Sequence, residues 1–214
     1  DPAQVGFRGI FDGRGYKIDG IYFNDGASGF LGVIAEGGIL RNIAFTNSKH
    51  AANGGFISSA CGGTVENVYI SAVHWAAGFS WDPVGWFTSH GYTMNCKIKN
   101  VIIEAGVPSD VSMEHIWGIG KLPTNAGFLE NVYVVAPYAV YHEDWVSGSA
   151  TDVYGRYDNR AVFAEAGINF ESWKGDFWTL VDGLPMPNEL VEEEYTATVQ
   201  AAAQELSRWH LADN

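Results

Sequence analysis

Five short stretches of this 214-residue chain repeat one pattern. They are Ile18-Asp-Gly-Ile-Tyr-Phe23, Leu40-Arg-Asn-Ile-Ala-Phe45, Val65-Glu-Asn-Val-Tyr-Ile70, Ile98-Lys-Asn-Val-Ile-Ile103 and Leu129-Glu-Asn-Val-Tyr-Val134. Each reads apolar, charged, Asn (Gly in the first), apolar, variable, apolar. The third positions fall at 20, 42, 67, 100 and 131, in steps of 22, 25, 33 and 31 residues. A near-repeat of that length implies one supersecondary unit stacked on copies of itself, because a single unit buries too little apolar surface to fold alone.

Each unit has a second half. Gly29-Phe-Leu31, Gly55-Phe-Ile57 and Gly85-Trp-Phe87 follow successive repeat strands, with Gly118-Ile119 and Ala161-Val-Phe163 as weaker counterparts. One coil is then a strand, a turn, a second short strand and a loop of variable length. Alternating apolar positions turn one face of each strand inward. Parallel stacking pairs every strand edge except those at the two ends. The expected fold is all-β: a right-handed parallel β-helix (β-solenoid) of about five to six coils, a rod of roughly 25–30 Å at the usual strand spacing. A β-sandwich is the competing all-β architecture, but it predicts strands every 8–12 residues or so rather than a recurring signature.

The recurring Asn42, Asn67, Asn100 and Asn131 invite a binding role. The structural reading is stronger: Asn tolerates the left-handed backbone region, and its amide can bond to the amides of the coils above and below. The second-position charges, Asp19, Arg41, Glu66, Lys99 and Glu130, alternate in sign and read as a solvated ladder of ion pairs.

Charge excludes one class of partner. The net charge is −13 and no Lys/Arg cluster exists, which argues against nucleic-acid binding through a basic face. No apolar run is long enough for a membrane span. Cys61 and Cys96 are read as two buried thiols, with a disulfide between neighbouring coils as the alternative. The chain opens on Asp1 rather than Met, which reads as a processed or internal piece.

Both ends carry capping signals. Phe7-Arg-Gly-Ile-Phe-Asp-Gly-Arg-Gly-Tyr16 reads as the opening turn, and Phe177-Trp-Thr-Leu-Val-Asp-Gly-Leu-Pro185 as a final strand and turn. Asn188 is placed to N-cap a helix, with Glu189, Glu192, Glu193 and Glu194 near its positive end. Val191, Tyr195, Val199, Ala202, Leu206 and Trp209 form an apolar stripe at helical spacing. The expected division is a β-solenoid over 1–187 and an amphipathic helix over 188–214. The helix packs on its own body or docks on another subunit, which makes a homo-oligomer one expectation.

Phe7 to Tyr22, then Gly29-Phe-Leu-Gly-Val-Ile34 and Gly38-Ile-Leu-Arg-Asn-Ile43, resemble GLUG-type repeats. The resemblance is closest over 7–70, extends to about 134, is weak over 135–176 and does not reach 188–214. The Trp178 to Pro185 segment is similar to the close of such arrays. The resemblance implies a right-handed β-helix serving adhesion, display or virion architecture in bacterial surface or phage structural proteins. It supplies no catalytic residues, and the later coils are longer than the usual repeat.

Function, if it resides in side chains, belongs to the insertions. The longest early one, His74 to Tyr92, holds Trp75, Trp81, Asp82 and His90. Exposed indoles with polar neighbours suit a sugar face, the ring taking C–H bonds and the polar groups the hydroxyls. Packing of both indoles onto the body is the bland alternative, and Trp86, aligned with Phe30 and Phe56, is assigned to the core. Glu104, Asp110, Glu114 and His115 form a second polar group, and His142-Glu-Asp-Trp145 a third. Paired carboxylates can hydrolyse glycosides, so a polysaccharide-degrading β-helix enzyme is the alternative function. Basic residues are scarce and these acids lie in loops, so no catalytic residues are assigned. The six His show no zinc-ligand spacing, and no metal or cofactor is called for. The expected activity is therefore non-enzymatic: a structural, display or receptor- and glycan-binding module of a virion or bacterial cell surface, partnered by other surface chains.

Overall fold

The computed structural model describes residues 5–23, 29–50, 55–58, 60–74, 84–85, 96–106, 116–117, 128–135, 149–154, 163, 167–193 and 197. The chain is all-β, built on one large parallel sheet. Four repeat copies form its spine: β5 (Ile39–His50), β7 (Thr64–His74), β9 (Lys97–Gly106) and β11 (Phe128–Val135). All pair in parallel and in phase, with Leu40 against Val65, Val65 against Ile98 and Ile98 against Leu129. Uneven spacing in sequence is thus absorbed outside the strands, apart from a one-residue register shift within β5 between Phe45 and Ser48.

The first coil corrects the sequence reading. Three short strands, β1 (Ile10–Asp12), β2 (Lys17–Asp19) and β3 (Tyr22–Phe23), all pair with β5. Phe11 stands opposite Leu40 and Asp12 opposite Arg41, while Ile18 stands opposite Phe45 and Asp19 opposite Thr46. The stretch beginning at Ile18 is therefore not in phase with the other four copies. Its glycine matched for a physical reason. Gly20 has φ +73 and lies at a second bend, where β5 has Asn47 at φ 48. β5 itself carries two left-handed positions, Asn42 and Asn47, so the two bends give similar sequence signals.

The last rung was hidden. β12 (Ser149–Tyr154) joins β11 in register, Leu129 against Ala150 and Val132 against Val153. Ala150-Thr-Asp-Val-Tyr154 keeps only the apolar first and fourth positions of the signature: Thr151 replaces the charge, and the register sets Asp152 in the Asn column.

The glycine–aromatic corners stack as expected in the first two coils: the Phe30 amide donates to the Phe56 carbonyl at 2.9 Å and Leu31 to Ile57 at 3.0 Å. Beside them β4 (Val33–Ile34) pairs with β6 (Ala60–Cys61). Further along, β8 (Val84–Gly85) pairs with β10 (Ile116–Trp117), which sets Gly85 against Trp117 rather than Gly118. Trp86 lies outside the described residues. Neighbouring repeats approach closely at Gly63, where an added Cβ would sit 2.2 Å from the Gly38 carbonyl oxygen.

Two apolar layers flank the spine. Inside, Leu40, Val65, Ile98 and Leu129 form one buried row, Ile43, Val68, Val101 and Val132 a second, and Phe45, Ile70, Ile103 and Val134 a third. Phe11, Phe30, Phe45, Phe56 and Phe23 fill the N-terminal end with edge-to-face contacts at 5.1–5.4 Å. The fifth signature position, variable in sequence, points the other way. Ala44, Tyr69, Ile102 and Tyr133 pack under Phe163, Phe170, Trp173, Phe177 and Trp178. The C-terminal segment is thus a cover over the outer face.

That cover holds a 3-10 turn (Glu171–Trp173) and an antiparallel hairpin, β13 (Trp178–Val181) and β14 (Leu184–Pro187). Asp182 and Gly183, at φ 52 and 81, make its two-residue turn. Residues 188–193 are helical. The Asn188 side-chain nitrogen donates to the Gly175 and Asp176 carbonyls, tying this helix to the preceding turn. Lys17 forms an ion pair with Glu193, so the C-terminal segment reaches the first coil. The apolar stripe from Tyr195 to Trp209 lies outside the described residues.

Cys61 and Cys96 form a disulfide, 35 residues apart and with Cα atoms at 5.4 Å. Both are buried. This corrects the expectation of two thiols: side-by-side coils bring the two Cα atoms within bridging distance.

Candidate functional site

The Asn column is a continuous amide ladder. Asn42, Asn67, Asn100 and Asn131 all adopt φ 52–53. The Asn131 side-chain nitrogen donates to the Asn100 oxygen at 2.9 Å, Asn100 to Asn67 at 3.2 Å and Asn67 to Asn42 at 3.0 Å. Asn42 donates in turn to Asp12 Oδ1 at 3.1 Å. Each side chain at a bend is therefore tied to the side chain of the bend before it, as the structural role requires.

Asp12 ends the ladder. Its Oδ1 also accepts from the Arg14 backbone amide at 3.0 Å, and its Oδ2 from Arg41 Nε at 3.0 Å. The Arg14 amide first, then the Asn42 side chain and Arg41, hold the Asp12 carboxyl below its usual pKa, against a smaller opposing effect of burial. Asp12, not Asp19, heads the charge row. Arg41 lies between Asp12 and Glu66 (Nη1 to Oε1, 3.9 Å), and Lys99 Nζ lies 2.8 Å from Glu130 Oε1.

Asp19 belongs to the second bend. Its Oδ1 accepts from the Thr46 hydroxyl at 2.6 Å and from Asn47 Nδ2 at 2.7 Å. Those two bonds, the hydroxyl first, lower its pKa. Beside this bend an open cleft of about 440 Å³ is lined by Gly20, Ile21, Tyr22, Asn47 and Lys49.

The residues singled out from sequence for sugar binding, Trp75, Trp81, Asp82 and His90, lie outside the described residues. His74 closes β7, with its backbone opposite His50. Of the two acidic groups considered for catalysis, only Glu104 is described. The Tyr69 hydroxyl donates to Glu104 Oε2 at 2.9 Å. Among the described residues no three of His, Cys, Asp and Glu cluster to hold a metal ion. The cleft has no signature in the sequence, because Tyr22 falls within the repeat pattern and Lys49 belongs to none. The nearest signal is the second left-handed pair, Gly20 and Asn47.

No protein-family model, curated protein or solved structure matches this chain.

Proposed function

We propose that the chain is a right-handed parallel β-solenoid that works as a non-enzymatic display or structural module at a virion or bacterial cell surface, offering a face to a receptor or glycan. The observation that carries this reading is the use of the repeat's polar groups. Asp12, Glu66 and Glu130 are engaged by Arg41 and Lys99, Asp19 by Thr46 and Asn47, and Glu104 by Tyr69. Facing acids for glycoside hydrolysis need one free carboxylate and one protonated carboxyl, and these acids serve stacking instead.

Two observations support the surface setting. The buried Cys61–Cys96 disulfide fits an oxidising environment rather than a reducing cytosol. The resemblance of the first coils to GLUG-type repeats points to the same class. The test is fractionation of the native source by size, followed by incubation of the purified chain with bacterial polysaccharides. Recovery in virions or in the cell-surface fraction, with no cleavage of polysaccharide, is expected. A freely soluble monomer that depolymerises polysaccharide would overturn the reading.

A further inference from the structure

We propose that the cleft at the second bend of the first coil is a sugar subsite, taking one pyranose unit of a surface polysaccharide. Its volume, about 440 Å³, suits one ring with its substituents, since small-molecule sites start at about 300 Å³. Tyr22 is 61% exposed at its edge. The sheet register sets Tyr22 directly opposite Lys49 on adjacent strands, and both residues line the cleft. Ile21 adds an apolar surface, and Asn47 and the Gly20 backbone add polar ones.

The floor is preorganised. The Gly20 amide donates to the Thr46 carbonyl at 2.9 Å, and the Lys49 amide to the Ile21 carbonyl at 2.7 Å. The Asn47 amide is oriented by its bond to Asp19, which commits one of the two Nδ2 hydrogens, and its Oδ1 is of the kind that accepts from a hydroxyl. Lys49 carries three donors, so it can serve a sugar hydroxyl along with another acceptor. Gly20, at φ +73, has nothing within 4 Å of the place its Cβ would occupy, so ligand can approach the backbone there.

The combination selects a sugar over other ligands. A pyranose offers a C–H face for the Tyr22 ring and a rim of hydroxyls for Asn47, Lys49 and Gly20. A nucleic acid is disfavoured by the net charge of −13. The assignment rests on the display reading for the source of the sugar, not for the chemistry of the cleft.

The test is a glycan array probed with the intact chain, followed by ¹H–¹⁵N NMR titration with methyl glycosides of the sugars retained. Wild type is expected to bind, with shifts at the Gly20, Asn47 and Lys49 amides. Tyr22→Ala should weaken binding about tenfold or more, and Tyr22→Phe should stay within about threefold. Because Tyr22 is exposed, the variants should keep the wild-type melting temperature. Array binding that survives Tyr22→Ala and Lys49→Ala but is lost in Trp75→Ala with Trp81→Ala overturns the subsite and leaves the display reading standing. Absence of any glycan binding by wild type also overturns the subsite, and fractionation still decides the display reading independently.

Discussion

At the residue scale the decisive side chains are the stacked asparagines. Each satisfies a backbone need, the left-handed bend, and Asn42, Asn67 and Asn100 also have a bonded partner on each side. Asn100 illustrates both, donating to Asn67 and accepting from Asn131. Asn100→Ala should cost about 3 kcal/mol, from two lost hydrogen bonds of about 1 kcal/mol each and about 1 kcal/mol of left-handed strain. Asn100→Gly removes the strain and should recover about a third of that loss. Urea midpoints of the two variants separate the contributions, and a wild-type midpoint for Asn100→Gly would show that the ladder bonds add nothing. Asp12 gives a pH prediction. Its folded pKa is depressed, so its contribution is present above the unfolded value of about 3.9 and disappears as pH falls through the folded one. Asp12→Asn should therefore flatten the fall in urea midpoint below about pH 4, and an unchanged acid limb would count against this role.

At the element scale each long strand is a wall with two covered faces. The inner face was legible in the sequence, because its three apolar rows recur at fixed offsets from each Asn. The outer face was not. Ala44, Tyr69, Ile102 and Tyr133 share no obvious residue class, since each fits a different part of an irregular cover rather than a copy of itself. The phase of the first coil was misread for a related reason: Gly20 and Asn42 share a backbone requirement but occupy different bends. β12 carries too little of the pattern to be read, because Thr151 replaces the charge, Asp152 the Asn and Gly155 the last apolar residue. The candidate sugar residues around Trp75 and Trp81 carry no repeat pattern to position them. Tyr133 lies 5.2 Å from Phe163, 5.0 Å from Phe170 and 5.6 Å from Trp173, ring centre to ring centre. Tyr133→Ala should cost about 3–5 kcal/mol as a large-to-small core change. It should also accelerate amide exchange over 167–181 more than within β5 or β7, and uniform acceleration would show that the cover is not a separable layer.

At the scale of the whole molecule, covalent and ionic ties join coils that the stack already places side by side. The disulfide closes a separation of 35 residues, for which loop-closure entropy suggests about 4 kcal/mol. Replacing Cys61 and Cys96 by Ala together should lower stability by up to that amount, read as a drop in melting temperature that reductant does not deepen. A wild-type melt that reductant leaves unchanged would show that the bridge adds no stability. Lys17, its pKa raised chiefly by the bond it donates to Glu193, tethers the cover to the first coil, although an exposed pair of this kind contributes little.

The amide ladder also has a direction. Every side-chain nitrogen points back toward the preceding coil, and the series ends on a carboxylate, which only accepts. Asp12 therefore offers the terminal acceptor, and Asn67, Asn100 and Asn131 each carry the donor for the Asn before them. A ribosome delivers the coils in that same order. Truncation from the C-terminal side leaves the remaining donors satisfied, whereas loss of the first coil strips Asn42 of its acceptor and Arg41 of a counter-charge. The stack is thus suited to being laid down vectorially, one turn templating the next, from Asp12 outward.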